Sequence, residues 1–171
     1  MTKLIAALVA VGALAVPAAT AAAGDRPPAA DPSIVQTAIA VNSAGPYAGQ
    51  FDTLICLVAN NPAVLSRLSS KGQYTVFAPT DAAFAQIGVT SANCAAVAPT
   101  VTNVLAYHVA KGRRDAATVV SSTRIRMLNR QFTKVSAANG SYYVNDAKII
   151  VTDVFATNGV IHVIDRVLLP A

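Results

Sequence analysis

Two histidines and two cysteines are the residues of this sequence best suited to acid–base, nucleophilic or metal chemistry. They are His108, His162, Cys56 and Cys94, in a chain of 171 residues. All eight acidic residues are Asp, and the absence of Glu excludes an HExxH zinc protease, a Glu-based glycosidase and an EF-hand closed by Glu. No cluster of Cys or Asp completes a ligand set around either histidine. We therefore predict no metal site and no cofactor.

The surroundings of the histidines favour a structural role over catalysis. His108 lies on the apolar face of a helix predicted over 101–109, and His162 lies in an apolar segment predicted to be a strand buried on both sides. Asp165 follows His162 by three positions, so in a strand the two side chains point to opposite faces and form no relay. The sequence also lacks a G-x-S-x-G motif, a phosphate loop and a dinucleotide fingerprint. We predict that the protein is not an enzyme.

Basic residues form the densest charged cluster of the chain, whose formal net charge is +5. Seven cations fall within 24 residues, with Asp115 as the only acid among them: Lys111, Arg113, Arg114, Arg124, Arg126, Arg130 and Lys134. In an extended segment, Arg124 and Arg126 share one face. Such a patch would attract anionic polysaccharide, lipopolysaccharide or anionic lipid headgroups, although an ordinary solvated face is the alternative. A DNA-recognition motif is lacking, so nucleic acid is not a predicted partner.

The amino terminus is typical of a secretory signal. Lys3 supplies the positive charge, Leu4 to Val16 is apolar, and small residues allow cleavage after Ala21 or Ala23. A membrane anchor is the competing interpretation, but the apolar run is short for a bilayer span. We expect a signal peptide over 1–23, a Pro-rich arm over 24–32, and a protein that acts in the periplasm or outside the cell, with the choice between these left open.

Export changes the interpretation of the two cysteines. An oxidising compartment favours a disulfide between Cys56 and Cys94, while two buried free thiols remain the alternative. A catalytic cysteine is disfavoured because nothing adjacent would hold a thiolate.

Helical patterns dominate the first part of the chain and hairpin signals the last part. Apolar residues recur at helical spacing over 34–41 and 51–59, and Asn61-Pro62 predicts the start of a third helix, which ends near Lys71. A strand is predicted over 73–78, followed by a helix capped by Thr80 and Asp81. Asn139-Gly140 and Asn158-Gly159 each predict a hairpin with positive φ angles at the turn. Helices followed by antiparallel hairpins predict an α+β domain.

Two motifs carry a resemblance to a known family. Thr75 to Phe84 reads TVFAPTDAAF, Asn158 to Pro170 reads NGVIHVIDRVLLP, and Tyr107-His108-Val109 lies between them. In this order and spacing they closely resemble the fasciclin domain, an extracellular adhesion module, over residues 33–171. The resemblance implies a wedge of two β-sheets packed against several helices, with both outer motifs on neighbouring central strands. The motif residues expected to be structural are Thr75, Phe77, Pro79, Thr80, Asp81, Phe84, Asn158, Gly159, His162 and Asp165.

The sequence departs from the family pattern in ways that limit what the resemblance implies. Asn129-Arg130 stand where the family often has a Gly-containing turn, and no counterpart of the acidic or Asp-Ile motifs of animal members is found. Tyr107-His108 resembles a pair implicated in integrin-type adhesion, which makes both residues binding candidates. Burial in the apolar stripe of the helix is the competing interpretation.

We therefore expect a secreted, non-enzymatic adhesion or matrix-interaction domain that binds cell-surface polysaccharide or protein, for example in biofilm or host attachment. The alternative is a carrier of a small apolar ligand held between sheets and helices, since the high Ala and Val content can leave a cavity. Weak self-association is compatible with the first hypothesis. The identity of the partner, the oligomeric state and whether the basic residues form one surface stay open.

Overall fold

The computed structural model describes residues 32–170. The predicted signal peptide over 1–23 lies outside the described residues, as does the predicted arm over 24–32 apart from Pro32. The described helices are α1 (Ile34–Ser43), α2 (Asp52–Ala59), α3 (Pro62–Leu68), α4 (Asp81–Ala85), α5 (Cys94–Val97), α6 (Thr102–Tyr107) and α7 (Ala116–Ser121). The described strands are β1 (Tyr74–Pro79), β2 (Val109–Lys111), β3 (Arg124–Arg126), β4 (Phe132–Ala138), β5 (Ser141–Val144), β6 (Ala147–Ala156) and β7 (Gly159–Ile164).

Polar caps fix where the helices begin. Asn61 caps α3 through the amide of Val64 and is followed by Pro62, as the sequence predicts. Thr80 caps α4 by accepting from the amide of Ala83. Asp81 was expected to share that role, but its carboxylate instead accepts from the amides of Asp52 and Thr53, at 3.2 and 2.9 Å. One motif residue therefore starts its own helix, and the next one satisfies the first amides of α2.

The seven strands form one hydrogen-bonded order, β2-β1-β7-β6-β5-β4-β3. β1 and β7 pair in parallel, and the other neighbours are antiparallel. An antiparallel bridge between Ala110 and Met127 joins the two ends of this order. The sheet thus curls over on itself, and the two layers expected of the wedge are two halves of one sheet. The α+β class is confirmed, as is the placement of both outer motifs on adjacent strands.

Each face of the central strands packs into a different hydrophobic core. One core is shared between the strands and the helices α2 and α3 with their neighbours. The strand residues in it are Val76, Ala78, Ile161 and Val163. The residues that alternate with them pack inside the curled sheet, in a second core. Its strand and flanking members are Phe77, Ala110, Ile125, Met127, Val135, Val144, Ala147, Ile164 and Leu168. Because β1 and β7 are covered on both faces, all their residues are buried.

Gly159 is required by a close approach of two backbones. A Cβ atom at this position would collide with the carbonyl oxygen of Tyr74 and would lie 2.7 Å from Cδ1 of Ile34. The predicted positive-φ turn at Asn158-Gly159 is wrong in detail. The loop residues are Thr157 and Asn158, and Asn158 is not among the non-glycine residues with positive φ in the described chain. The first hairpin is as predicted, with φ of 51° at Asn139 and 70° at Gly140.

The helix predicted over 101–109 is shorter than its apolar pattern suggests. It spans Thr102–Tyr107, His108 is its C-cap, and Val109 begins β2. Val109 and Ala110 pair with Val76 and Thr75 of β1, so strand pairing overrides the helical periodicity. The third helix and the last strand also end earlier than predicted, at Leu68 and Ile164. After α3 the chain continues through exposed residues 69–73, and after β7 Val167 and Leu168 each join one of the two cores.

Cys56 of α2 and Cys94 of α5 form a disulfide, with their Cα atoms 6.0 Å apart. Of the two alternatives left by the sequence, the disulfide is therefore the one present in the structure. It ties the amino-terminal helices to the short helix that precedes α6. No free cysteine occurs among the described residues.

Candidate functional site

Two buried motif residues hold the segment that carries three of the candidate cations. The hydroxyl of Thr75 donates to the carbonyl of Gly112 at 2.7 Å and accepts from the amide of Arg114 at 2.9 Å. His162 Nε2 lies 2.9 Å from the carbonyl of Arg114, and its Nδ1 accepts from the amide of Asp153. With Nδ1 as acceptor, Nε2 carries the proton and donates to Arg114. The backbone after β2 is therefore fixed from both sides.

Burial lowers the pKa of His162, against the opposing effects of its bond to Arg114 and of the carboxylates of Asp153 and Asp115. The neutral ring is the form that can accept at Nδ1 and donate at Nε2. This arrangement uses His162 to position a loop, and both ring nitrogens are occupied by the backbone.

His108 is buried in a second backbone-bonded site. Its Nε2 accepts from the amide of Leu168 at 2.9 Å, so Nδ1 carries the proton and donates to the carbonyl of Val104 at 2.7 Å. Burial lowers its pKa to about 4, and the bond to Val104 opposes this only in part. His108 thus joins α6 to the chain that follows β7, and its ring is fully committed to that role.

Tyr107 is also buried, with 4% of its surface exposed. Its hydroxyl donates to the carbonyl of Phe132 at 3.0 Å and accepts from the side-chain amide of Asn145 at 3.1 Å. Tyr107 and His108 are therefore buried and are not part of a candidate binding surface. The physical reason is that α6 lies against the sheet at this point, so its last residues join cores instead of facing solvent.

Five cations from separate parts of the chain meet in one groove. We call this the basic groove; it has a volume of about 390 Å³, and its cationic residues are Arg67, Lys111, Arg114, Arg126 and Arg130. Met127 and Leu128 complete its lining, and no carboxylate takes part. Arg67 was not predicted, because it lies in the last turn of α3 and more than 40 residues before the cluster. Only the fold brings it to the other four.

A second group of cations occupies the outer side of the sheet. Arg124 faces Lys134 across the β3–β4 pair, and Arg126 faces Phe132. Tyr143 of β5 lies opposite Lys148 of β6, on the same side of the sheet. We call this set the cationic face: Arg124, Arg126, Lys134 and Lys148, with the aromatic rings of Phe132 and Tyr143. The Arg124 guanidinium carbon lies 5.1 Å from the centre of the Phe132 ring, which is 52% exposed.

The seven candidate cations of the sequence therefore divide into neighbouring groups. Arg126 belongs to both the basic groove and the cationic face, so these two surfaces are continuous. Arg113 lies apart, with its guanidinium carbon 5.0 Å from the centre of the Phe155 ring. The chain bends at Gly112, whose φ is 91°, and Arg113 is not among the residues that line the groove with Lys111 and Arg114.

The acidic residues of the described chain are occupied elsewhere. Of the eight in the sequence, Asp25 and Asp31 lie outside the described residues. Four of the rest accept from backbone amides, Asp52 accepts from Asn42, and Asp146 pairs with Arg166 at 3.7 Å. The four are Asp81, Asp115, Asp153 and Asp165. None of them forms an ion pair with the groove or the face, which leaves both surfaces strongly positive.

Comparison with known proteins decides the family. The fasciclin domain model matches residues 49–170. The chain belongs to the fasciclin domain family. It is 37% identical over 123 residues to protein sll1483 of Synechocystis sp., covering 70% of this chain and 67% of that protein. It is 31% identical to the cell surface glycolipoprotein MPB83 of Mycobacterium bovis, covering 91% of this chain and 79% of that protein.

A solved structure shows the same fold. The fasciclin domain pair of the insect cell adhesion molecule fasciclin I matches with a TM-score of 0.63 and 17% identity, covering 81% of this chain and 51% of that chain. In residues 32–170, no three His, Cys, Asp or Glu side chains come together as a potential metal site. No helix in the same range is long and apolar enough to cross a membrane.

Proposed function

We propose that this fasciclin domain is a secreted, non-enzymatic adhesion module that binds acidic polysaccharide of a cell surface or matrix through its cationic face. The family includes a cell adhesion molecule and a cell surface glycolipoprotein, which supports an adhesive role outside the cytoplasm. The predicted signal peptide supports the same location. Within this frame, attachment in a biofilm or to a host is the biological setting that we infer.

The observation that carries the proposal is the concentration of unneutralised cations beside two aromatic rings, the exposed Phe132 and the half-buried Tyr143. Arg124 and Lys134 stand directly opposite each other, an arrangement that destabilises a strand pair. A bound polyanion would relieve this repulsion, because each cation would then face a negative group. Phe132 and Tyr143 add flat apolar surface on which sugar rings can pack. Repeated carboxylates along one polysaccharide chain match repeated cations along one sheet face.

Single contacts of this kind are weak at physiological salt, since exposed charges are screened within about 8 Å. Several domains on one polysaccharide chain would raise the overall affinity through a high effective concentration. Adhesion therefore requires the face as a whole, and a repeated ligand suits it better than a single monosaccharide.

A bead assay tests this proposal. Beads coated with the protein are allowed to settle on a surface of polygalacturonate, and the retained fraction is measured under flow. We expect R124A/K134A to lose most of the retention. A control variant, K71A/R113A, removes the same charge away from the face and should behave like the unchanged protein. Equal retention of the two variants would contradict the proposal.

A second function has separate support. An apolar cavity of about 110 Å³ lies between α1, α2 and α3 and the strands β1 and β7, and all of its lining residues are apolar. Ala38, Ala59 and Ala78 are among them, so small side chains do leave a space where the carrier hypothesis places one. A cavity of this size takes a molecule no larger than about one benzene ring.

Native mass spectrometry of the exported protein tests the carrier function. A co-purifying small molecule that is lost in A38F would support it, because the larger side chain fills the cavity. Repeated preparations without any bound molecule would contradict it. A38F should leave the bead retention unchanged, which separates the two functions.

A further inference from the structure

We propose that the basic groove is a binding pocket for a compact phosphate-bearing group, separate from the polysaccharide surface of the cationic face. The proposal extends the proposed function, since Arg126 belongs to both surfaces, but its ligand and its critical residues are different. The groove is a concave site in which five cations converge, whereas the face spreads its charges along a sheet.

The charge and shape of the groove favour phosphate over a single carboxylate. Four of the five cations are arginines, whose planar guanidinium groups match the oxygens of a phosphate. A phosphate monoester carries close to two negative charges and three acceptor oxygens, so it can engage several arginines at once. A carboxylate carries one charge and two oxygens. The volume of about 390 Å³ leaves room for a sugar beside the phosphate, against the partly exposed Leu128.

Arg114 supplies an unsatisfied donor at this site. Its Nε is buried, and among the described residues it is the one buried side-chain nitrogen or oxygen that lacks a hydrogen-bond partner. A charged donor without an acceptor is costly, and such an atom calls for an explanation. The backbone of Arg114 is held by Thr75 and His162, so the residue cannot easily move to find a partner. An anion in the groove brings acceptor oxygens to this guanidinium.

Arg130 stands in a backbone conformation that favours glycine. Its φ is 72°, in a turn where its amide donates to the carbonyl of Met127 at 3.0 Å. A side chain is strained in this left-handed region, and strain of this kind is often found at functional sites. The chain nevertheless presents an arginine here, at the rim of the groove. We infer that the guanidinium of Arg130 serves the ligand at the expense of the stability of the turn.

Calorimetric titration with inorganic pyrophosphate tests the pocket. We expect saturable binding at one site per chain, weakened at least tenfold in R67A, whose side chain is exposed and whose loss should not disturb folding. In R130G, binding should weaken at least fivefold while the melting temperature rises. The face variant R124A/K134A should bind pyrophosphate within twofold of the unchanged protein. Unchanged binding in R67A and R130G, or a lower melting temperature in R130G, would overturn the proposal.

Two further arms identify the source of the phosphate. Glucose 6-phosphate represents a phosphorylated glycan, and vesicles of phosphatidylcholine with one third phosphatidic acid represent a lipid headgroup. Binding of either one that R67A weakens would support the pocket and name its source. Glucuronate serves as the carboxylate control, and its binding as tightly as glucose 6-phosphate would overturn the preference for phosphate. If the unchanged protein binds pyrophosphate but is not retained on the polysaccharide surface, the result counts against the face alone.

Discussion

Acidification should destabilise the fold through His108. Nε2 of the buried ring accepts from the amide of Leu168. Protonation of Nε2 would make it a donor, which would then face the amide donor of Leu168. Because the pKa is lowered to about 4 in the folded state and is near 6.5 in the unfolded state, the unfolded chain takes up the proton first. The stabilising effect of the neutral ring is complete above the unfolded pKa and is lost as the pH falls from 6.5 towards 4.

The size of the effect follows from the two pKa values. Between pH 7.5 and pH 5, linkage predicts a loss of about 2 kcal/mol in the free energy of unfolding from this residue alone. Burial also lowers the pKa of His162, so that residue adds a loss in the same direction. The assay is urea unfolding at a series of pH values with the disulfide intact, for the unchanged protein and for H108Q.

H108Q keeps a side chain that can donate and accept, but it cannot be protonated. Its free energy of unfolding should therefore fall by about 2 kcal/mol less over the same pH range, while the contribution of His162 remains in both proteins. Equal pH dependence in the two proteins would refute the reasoning. Proton NMR of the unchanged protein gives a second check, since the chain has only two histidines and a ring that titrates near pH 6.5 at His108 would also refute it.

Two more predictions concern the motif at the start of β7. G159A should lower the free energy of unfolding by about 3 kcal/mol or more, because its Cβ would overlap the carbonyl of Tyr74 and force the β1–β7 pair apart. Thermal unfolding measures this, and a loss below about 1 kcal/mol would show that the strands can separate easily. N158A should cost about 3 kcal/mol, since its buried side chain accepts from Ile34 and donates to Leu68 and Ser70. In N158D a buried carboxylate oxygen would face the carbonyl oxygens of Leu68 and Ser70, so its stability should be no higher than that of N158A. An N158D variant as stable as the unchanged protein would contradict this account.

Local chemistry explains which parts of the fold could be predicted from the sequence. Asn61-Pro62 and Asn139-Gly140 each define a cap or a turn by their own residue types, and both are found where expected. The segment over 101–109 could not be divided correctly, because apolar residues at helical spacing also suit a short helix followed by an edge strand. The pairing of Val109 with Val76 decides between them, and no local pattern contains that information.

The candidate site shows the same limit at longer range. Arg124 and Arg126 of β3 could be assigned to one face because strand alternation is a local property. Lys134 of β4 joins them through the pairing of the two strands, which the sequence does not specify. Arg67 could not be joined to them, since its place in the groove depends on how α3 packs relative to β2 and β3. Arg113 lies over Phe155 while Arg114, whose backbone is bonded to Thr75 and His162, lines the groove. These relations come from tertiary packing, which no spacing in the sequence records.

The salt dependence of polysaccharide binding tests the central proposal most directly. The dissociation constant for soluble polygalacturonate is measured from about 50 to about 500 mM salt, for the unchanged protein, R124A/K134A and K71A/R113A. We predict saturable binding whose affinity falls steeply with salt. R124A/K134A should bind more weakly and show a shallower salt dependence, and K71A/R113A should show no change of slope. Binding that is indifferent to salt, or equal slopes in all three proteins, would contradict a cationic adhesion face.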